Sequence, residues 1–427
     1  MNTTGPTGYW PSAWPGEDGG PLRQQIPHGT RGWGVGAGEH LEATSRDVLA
    51  ATMVVLRDEG EAYLLRHTAG VDAISFVERF HPHTLEVIER SPDLPGGPTW
   101  PGGMAVHANG SLYVAFGRHL HRLAPDCSLT ASLELPRNRP YNSFVILPDG
   151  NLALKDFAGS HIGSAPYALG ATDPSELLVV EPEGLSIVAR LELPEPSIAR
   201  ISADGDDVFV VGDTSLFRVR WHGNEQSLAI TLAAPYRTIA GQSYGWDPVL
   251  AAGAAWFLDN GEGSERFVGT FRGQGISPAP LHLVRVDLAS GAVSLTEICG
   301  LPNGLVANPP AVDAGRRIAV GYDSSNGVVA AFRFDVTGAT SPLWQREMNH
   351  ACHPVLFADT GELVLCDHDA NRGADQLVVL DIDTGAERAR VDTGSPLQGV
   401  VFPSVGFERD LYMVTITTLS RVVVVAD

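Results

Sequence analysis

The sequence predicts an all-β protein, a single β-propeller of seven or eight four-stranded blades, with an extended N-terminal arm. Three observations favour this fold. Short β-rich runs joined by glycine turns recur along the chain, a second pair of strands follows each run, and long helical periodicity is absent. Four strands per unit, repeated every roughly 40 to 60 residues, is the pattern of a propeller blade. We expect residues 1–45 to form the arm and residues 46–427 the propeller, with no second domain.

The glycine turns mark the first two strands, A and B, of each blade. Alternating apolar residues flank these turns, and four of the seven contain an Asn-Gly, Asp-Gly or Thr-Gly pair, the strongest local signal for a β-hairpin. The turn glycines are Gly60, Gly110, Gly150, Gly205, Gly253, Gly315 and Gly361. Seven blades are therefore clear. Three further strands near the C-terminus leave the count open between seven and eight, because the N-terminal stretch would complete an eighth sheet if both chain ends join it.

The first forty residues are rich in Gly, Pro and Trp and read as an arm. Trp10, Trp14 and Trp33 are its large apolar side chains. Three arrangements stay open: the tryptophans pack on the propeller, they pack on a neighbouring subunit in a homo-oligomer formed through the arm, or the arm is a partly ordered tail.

Charge and composition exclude several classes of partner. The 427 residues include 29 Lys and Arg against 50 Asp and Glu, a formal net charge of −21. Nucleic acids and anionic membranes are recognised by clustered basic residues, so neither is expected as a partner. No apolar run approaches the roughly 20 residues of a membrane span. The opening residues lack the basic start and apolar stretch of a signal peptide, so we expect a cytoplasmic protein with reduced cysteines.

Propeller topology separates the loops into two faces. The tight A-to-B glycine turns lie on one face, whereas the D-to-A and B-to-C loops on the other are long and varied. Two B-to-C insertions, 156–175 and 259–280, have the length of functional lids. We therefore predict a pocket for a small-molecule substrate at the channel mouth of this face. The predicted substrate-binding residues are Tyr141, Tyr244, Trp246, His350, Trp100 and Arg139.

Counting back eight residues from an A-to-B glycine reaches the start of strand A, beside the channel. The count gives Asn142 and His353, with Asn303 and Asp247 at nearby positions of two other blades. Amide and carboxylate oxygens suit calcium or magnesium, and a single histidine suits a general base or a ligand. The alternative is that the asparagines only cap tight turns. We predict His353 and Asp247 as catalytic residues.

The segment around residue 350 offers a second kind of metal site. His350, Cys352, His353, Cys366 and His368 fall on adjacent loops. Imidazole and thiolate ligands in this arrangement are suited to zinc or another transition metal.

Two segments resemble the propellers of the gluconolactonase and regucalcin family, namely RPYNSFVILPDGNLALKDF (139–157) and LPNGLVANPPAVDAGRRIAVGYDSSNGVVAAFRFD (301–335). In that family two asparagines, a glutamate and an aspartate bind a divalent cation over the channel, and the aspartate is the base in lactone hydrolysis. The resemblance implies that Asn142 and Asn303 bind a divalent cation, with calcium expected. This sequence has His353 where the aspartate is expected and no matching glutamate beside Trp100. The implied activity is a lactonase-like hydrolase with a His-centred site.

Other functions stay open at this point. Streptogramin lyases are propellers with a catalytic histidine, so elimination or isomerisation, with or without a metal, is an alternative. Quinoprotein dehydrogenases are similar in blade count, but they use an adjacent pair of cysteines that this sequence lacks. A propeller that binds a protein without catalysis is the third alternative.

Overall fold

A computed structural model describes residues 5–158 and 173–427. These residues form eight antiparallel sheets of four strands, and one sheet carries a short fifth strand. The innermost strands of neighbouring sheets contact one another, and the last sheet contacts the first. The fold is therefore an eight-bladed all-β propeller, which settles the blade count. No helical segment among the described residues has the length and apolarity needed to cross a bilayer.

The first four blades follow one another along the chain after β1 (Glu39–Asp47). Blade 1 contains β2 (Ala51–Leu56), β3 (Ala62–His67), β4 (Ala73–Phe80) and β5 (Val87–Arg90), with β6 (Leu94–Gly97) paired to β4. Blade 2 contains β7 (Gly103–Val106), β8 (Leu112–Phe116), β9 (His119–Leu123) and β10 (Leu129–Glu134). Blade 3 contains β11 (Tyr141–Ile146), β12 (Leu152–Asp156), β13 (Glu176–Val180) and β14 (Ile187–Glu192). Blade 4 contains β15 (Ser202–Asp204), β16 (Asp207–Val211), β17 (Ser215–His222) and β18 (Ser227–Pro235).

The remaining blades repeat this order, with very short innermost strands. Blade 5 contains β19 (Val249–Ala251), β20 (Ala254–Leu258), β21 (His282–Asp287) and β22 (Val293–Glu297). Blade 6 contains β23 (Ala311–Asp313), β24 (Ile318–Asp323), β25 (Val328–Phe334) and β26 (Thr340–Glu347). Blade 7 contains β27 (Val355–Phe357), β28 (Glu362–Asp369), β29 (Ala374–Asp381) and β30 (Glu387–Asp392). Blade 8 contains β31 (Ser404–Val405), β32 (Asp410–Val414), β33 (Thr418–Ala426) and β1.

The two chain ends close the ring in blade 8. Strand β1 pairs antiparallel with β33, in a register that runs from Glu39 opposite Ala426 to Asp47 opposite Thr418. The predicted boundary at residue 45 therefore cuts through a strand of the propeller. Pairing both ends in one sheet leaves the ring without an open seam between its first and last strands.

The segment before β1 is part of the structure's interior, which corrects the expectation of an extended arm. It bonds to the innermost strands of six blades, five of them through its backbone: Trp14 O accepts from Leu56 N at 2.9 Å, and Gln25 O accepts from Leu356 N at 2.9 Å. Further backbone bonds reach blades 2, 4 and 5, and the Tyr9 hydroxyl accepts the backbone N–H of Ile146 in blade 3. Because these strands surround the axis, residues 5–38 run across the central channel, and we call them the channel segment.

The tryptophans of the channel segment explain why it is buried. Trp14 and Trp33 are 1% and 3% exposed and belong to the main apolar cluster of blades 1, 2, 7 and 8. Trp10 is only partly buried, with Arg57 stacked over its ring at 4.3 Å. Of the three arrangements left open by the sequence, packing on the propeller is the one observed.

Replacing Trp14 by alanine tests whether the channel segment contributes to the core. We expect Trp14→Ala to lower the free energy of unfolding by about 3–5 kcal/mol, because a large buried side chain leaves a cavity. Trp10→Ala is the matched control and is expected to cost about 1 kcal/mol, mostly through the lost cation–π contact. Urea titration followed by far-ultraviolet circular dichroism, which does not use tryptophan fluorescence, measures the free energy of unfolding of both variants. Equal small losses would contradict the packing described here.

Candidate functional site

A pocket of about 300 Å³ opens at the channel mouth, on the face of the D-to-A and B-to-C loops. Its walls come from one recurring position, one to three residues before the innermost strand of a blade. The residues at this position that line the pocket are Ala50, Pro101, Arg200, Trp246, Asn308, His353 and Phe402. Seven of the eight blades thus contribute a lining residue from nearly the same position, so the wall follows from the repeat.

Aromatic rings form much of the pocket wall. Trp100 stacks on Phe157 with ring centroids 4.5 Å apart, and its ring is nearly parallel to that of Trp246 at 6.5 Å. The insertion predicted at 259–280 supplies Phe267 and Phe271 to the lining. The other predicted lid, 156–175, lies largely outside the described residues.

His353 is the central ionisable group of the pocket. It lies two residues before β27, is 2% exposed, and packs its ring against Phe402 with centroids 3.9 Å apart. Its Nδ1 lies 2.8 Å from Oδ1 of Asp18, so the carboxylate faces this ring nitrogen. Since Nδ1 faces Asp18, the Nε2 atom is the nitrogen that can meet a bound molecule.

Arg200 is the second basic residue in the lining. Its guanidinium donates to Pro101 O at 2.7 Å and lies 3.1 Å from a carboxylate oxygen of Glu17. It also lies over the ring of Phe402 at 4.5 Å. These contacts fix the guanidinium in place beside His353, with its positive charge directed at the pocket.

The channel segment provides the acidic partners of both Arg200 and His353. Glu17 and Asp18 lie in a short 3-10 turn, Glu17–Gly19, and both also pair with Arg23 of the same segment. Burial raises the pKa of Asp18, but the charges of His353 and Arg23 outweigh it and hold that pKa below its ordinary value. Asp18 and Arg23 have left-handed backbone, with φ of 52° at each, which is costly for residues other than glycine. The tight turn brings both acids beneath the pocket.

The structure brings only part of the predicted site together. Trp100, Trp246 and His353 line the pocket. Asp247 lies directly behind it, where its Oδ1 accepts the backbone N–H of Arg200 at 2.7 Å. His350 is fully buried behind the wall, against Cys366.

The other predicted residues lie elsewhere. Tyr141 and Tyr244 are buried in the core, outside the lining. Arg139 lines a separate surface depression, where it pairs with Asp156 and Asp173 at 2.9 Å. Asn303 is exposed at a turn, with a positive φ of 60°, and does not reach the pocket. The side chain of Asn142 is outside what the structure describes.

A hard divalent cation finds few ligands in this pocket. Among the described lining residues the only carboxylate is that of Glu265, which is exposed, whereas Arg200 and His353 both repel a cation when charged. Residues of this kind do not fit a calcium site. The binding of a cation by Asn142 and Asn303 stays a prediction.

Sequence reasoning missed Arg200, Asn308, Glu17 and Asp18. Counting back eight residues from Gly315, as in the other blades, reaches Ala307, which lines the pocket next to Asn308. The same count without an allowance for the longer turn would therefore have indicated this part of the pocket. The two acids have no comparable signal, because their partners lie on other blades.

The buried charges beneath the pocket are expected to dominate local stability. Asp18→Asn removes the partner of His353 and one partner of Arg23, and we expect it to cost about 3 kcal/mol, as is typical for a broken buried ion pair. Asp93→Asn breaks the exposed pair with Arg90 and should cost at most about 0.5 kcal/mol. The urea concentrations at the midpoint of unfolding, measured for both variants, test this expectation. A loss for Asp18→Asn as small as that of the control would show that the cluster is not coupled to folding.

Comparison with known proteins identifies the fold. No protein-family model and no curated protein sequence matches the chain. The quinohemoprotein alcohol dehydrogenase ADHIIG from Pseudomonas putida HK5 is 9% identical over 96% of this chain and 80% of its own, with a TM-score of 0.61. The quinohemoprotein alcohol dehydrogenase from Comamonas testosteroni is 11% identical over the same shares, with a TM-score of 0.60. The computationally designed Ika8 protein is 10% identical over 87% of this chain and 96% of its own, with a TM-score of 0.55. These similarities support a β-propeller, but not the gluconolactonase family in particular.

Proposed function

We propose that this propeller is an enzyme that acts on a compact, largely apolar molecule bearing a carbonyl group, and that His353 transfers the proton. The observation on which the proposal rests is the position of His353, on the wall of an aromatic pocket with a buried carboxylate behind it. A carboxylate in this position stabilises the imidazolium that forms when histidine takes a proton. The same pairing recurs in enzymes that use histidine as a general base.

The size and lining of the pocket define the class of substrate. At about 300 Å³, the pocket is at the small end of ligand sites. Its rings offer flat apolar contacts, and Arg200 provides a fixed positive charge at the base. A flat or cyclic molecule with one oxygen near Arg200 would satisfy both features.

The chemistry of the lining favours removal of a proton from carbon over metal-dependent hydrolysis. His353 would break a C–H bond next to the carbonyl and take the proton on Nε2. The electron pair enters the carbon skeleton, and the negative charge on the carbonyl oxygen is stabilised by Arg200. The electron pair then either expels a leaving group, as in a lyase, or accepts the proton at a neighbouring atom, as in an isomerase. A lactonase that works through a cation would need oxygen ligands that the described lining does not provide.

Replacing His353 tests its role directly. Turnover of a panel of small lactones and of carbonyl compounds with acidic C–H bonds would be followed by mass spectrometry, with deuterium uptake from heavy water as a second readout. For any compound that turns over, His353→Ala should lower kcat at least about 100-fold, the usual value of a positioned base. KM should change less, because the aromatic walls that bind the substrate stay in place.

The control is His119→Ala, a partly buried histidine of blade 2 whose Nδ1 lies 2.6 Å from Gly96 O, outside the pocket. It should leave kcat within a few-fold of the original value. Wild-type turnover in a folded His353→Ala protein would refute the proposal. Binding of panel compounds in the pocket, with neither turnover nor deuterium uptake, would instead identify the protein as a non-catalytic binder.

A further inference from the structure

Behind the pocket wall, blade 7 brings one histidine and two cysteines together. His350 and Cys352 precede β27, and Cys366 lies on the neighbouring strand β28. All three side chains are at most 1% exposed. We propose that they bind a zinc ion, in a site that is separate from the catalytic pocket and independent of the function proposed above.

The distances fit a tetrahedral metal site. The three ligand atoms lie within 4.8 Å of one another, with His350 Nδ1 at 3.4 Å from Cys366 Sγ and 4.0 Å from Cys352 Sγ. Zinc bonds of about 2.3 Å to sulfur and 2.0 Å to nitrogen separate tetrahedral ligand atoms by roughly 3.5 Å. The two distances from His350 Nδ1 therefore differ from this value by about half an ångström or less.

The hydrogen bonds around the ligand atoms show which contacts a metal would replace and which it would keep. His350 Nδ1 lies 3.1 Å from the backbone nitrogen and 3.3 Å from the carbonyl oxygen of Cys366, and a zinc ion bound at Nδ1 would replace these contacts. Cys366 Sγ accepts the backbone N–H groups of Ala351 at 3.3 Å and Cys352 at 3.4 Å. Two N–H donors on one sulfur are the environment of a metal-bound thiolate, because they stabilise its negative charge.

Asp375 is the group that we assign as the fourth ligand, reached by a movement of its side chain. Its carboxylate is fully buried in the same blade, but its oxygens do not lie within 4.8 Å of all three other ligand atoms. A buried carboxylate costs several kcal/mol unless it is neutralised or finds a cation, and this cost favours the movement toward a bound metal.

A metal here would stabilise the wall of the pocket. His353 follows Cys352 directly, and Val400, which follows Gly399, also lines the pocket. Asn308 Nδ2 donates to Val400 O at 3.1 Å and links the same wall to blade 6. The zinc ion would thus hold in place the backbone that positions His353, without contacting a substrate.

Metal analysis of the full chain tests the assignment. Protein purified without chelator and then dialysed against zinc should contain one equivalent of zinc by plasma mass spectrometry, as expected for a closed structural site. Exchange for cobalt should give the thiolate-to-cobalt absorption in the near ultraviolet and the visible bands of tetrahedral cobalt. Cys352→Ser and Cys366→Ser should each lose most of the zinc and the thiolate absorption. Cys127→Ser, which removes an equally buried cysteine of blade 2, should keep both.

Several results would overturn the assignment. One is folded wild-type protein that binds no zinc after dialysis. Another is zinc that is retained in full by both serine variants, which would place it elsewhere. A third is a Cys352–Cys366 disulfide, recognised by a mass two hydrogens lower in the absence of reductant. If a serine variant fails to fold, the cobalt spectrum of the wild type decides: absorption without thiolate character refutes the site.

Discussion

Two adjacent carboxylates at the centre of the ring, Glu17 and Asp18, are the interaction on which the rest of the site depends. Each meets a basic side chain from a different blade, Arg200 in one case and His353 in the other, while Arg23 contacts both. With water excluded, each attraction is strong, but any charge left alone would cost several kcal/mol. The channel segment, blade 4 and blade 7 are therefore stable only in one common arrangement, and this arrangement gives the pocket its charged base.

The site is assembled in layers that have different origins. The ring supplies aromatic and apolar walls from equivalent positions of its blades, so these walls follow from the repeat. The charges come from a segment outside the repeat, and the soft ligands behind the wall belong to blade 7 alone. A repeated scaffold with non-repeated chemistry is how propellers acquire unrelated functions, because the scaffold tolerates changes at a few entry positions.

The features that the sequence could predict are those whose signals lie close together along the chain. Glycine turns between alternating apolar residues are local, so the blades, the functional face and His353 could be found by counting. Arg200 was missed because the count from Gly205 ends at Ser197, ahead of the very short strand β15. Allowing for the longer turn of blade 6 moves the expected start of its innermost strand to Asn303 and away from Asn308. The Asp18–His353 pair joins residues more than 300 positions apart, and such pairing leaves no periodic pattern for a single sequence to show.

Because β1 pairs with β33, the ring of blades cannot close until β33 has been synthesised. His40 meets Asp427, its partner 387 positions later in the chain. At ribosomal rates of roughly 5–20 residues per second, the first forty residues wait about 20–80 seconds for the sheet that receives them. During this time Trp14, Trp33 and the paired acids have no burial site, and the nascent blades expose an unfilled axis. Sheltering residues 5–47 until β33 has been synthesised would therefore keep these side chains from non-native contacts.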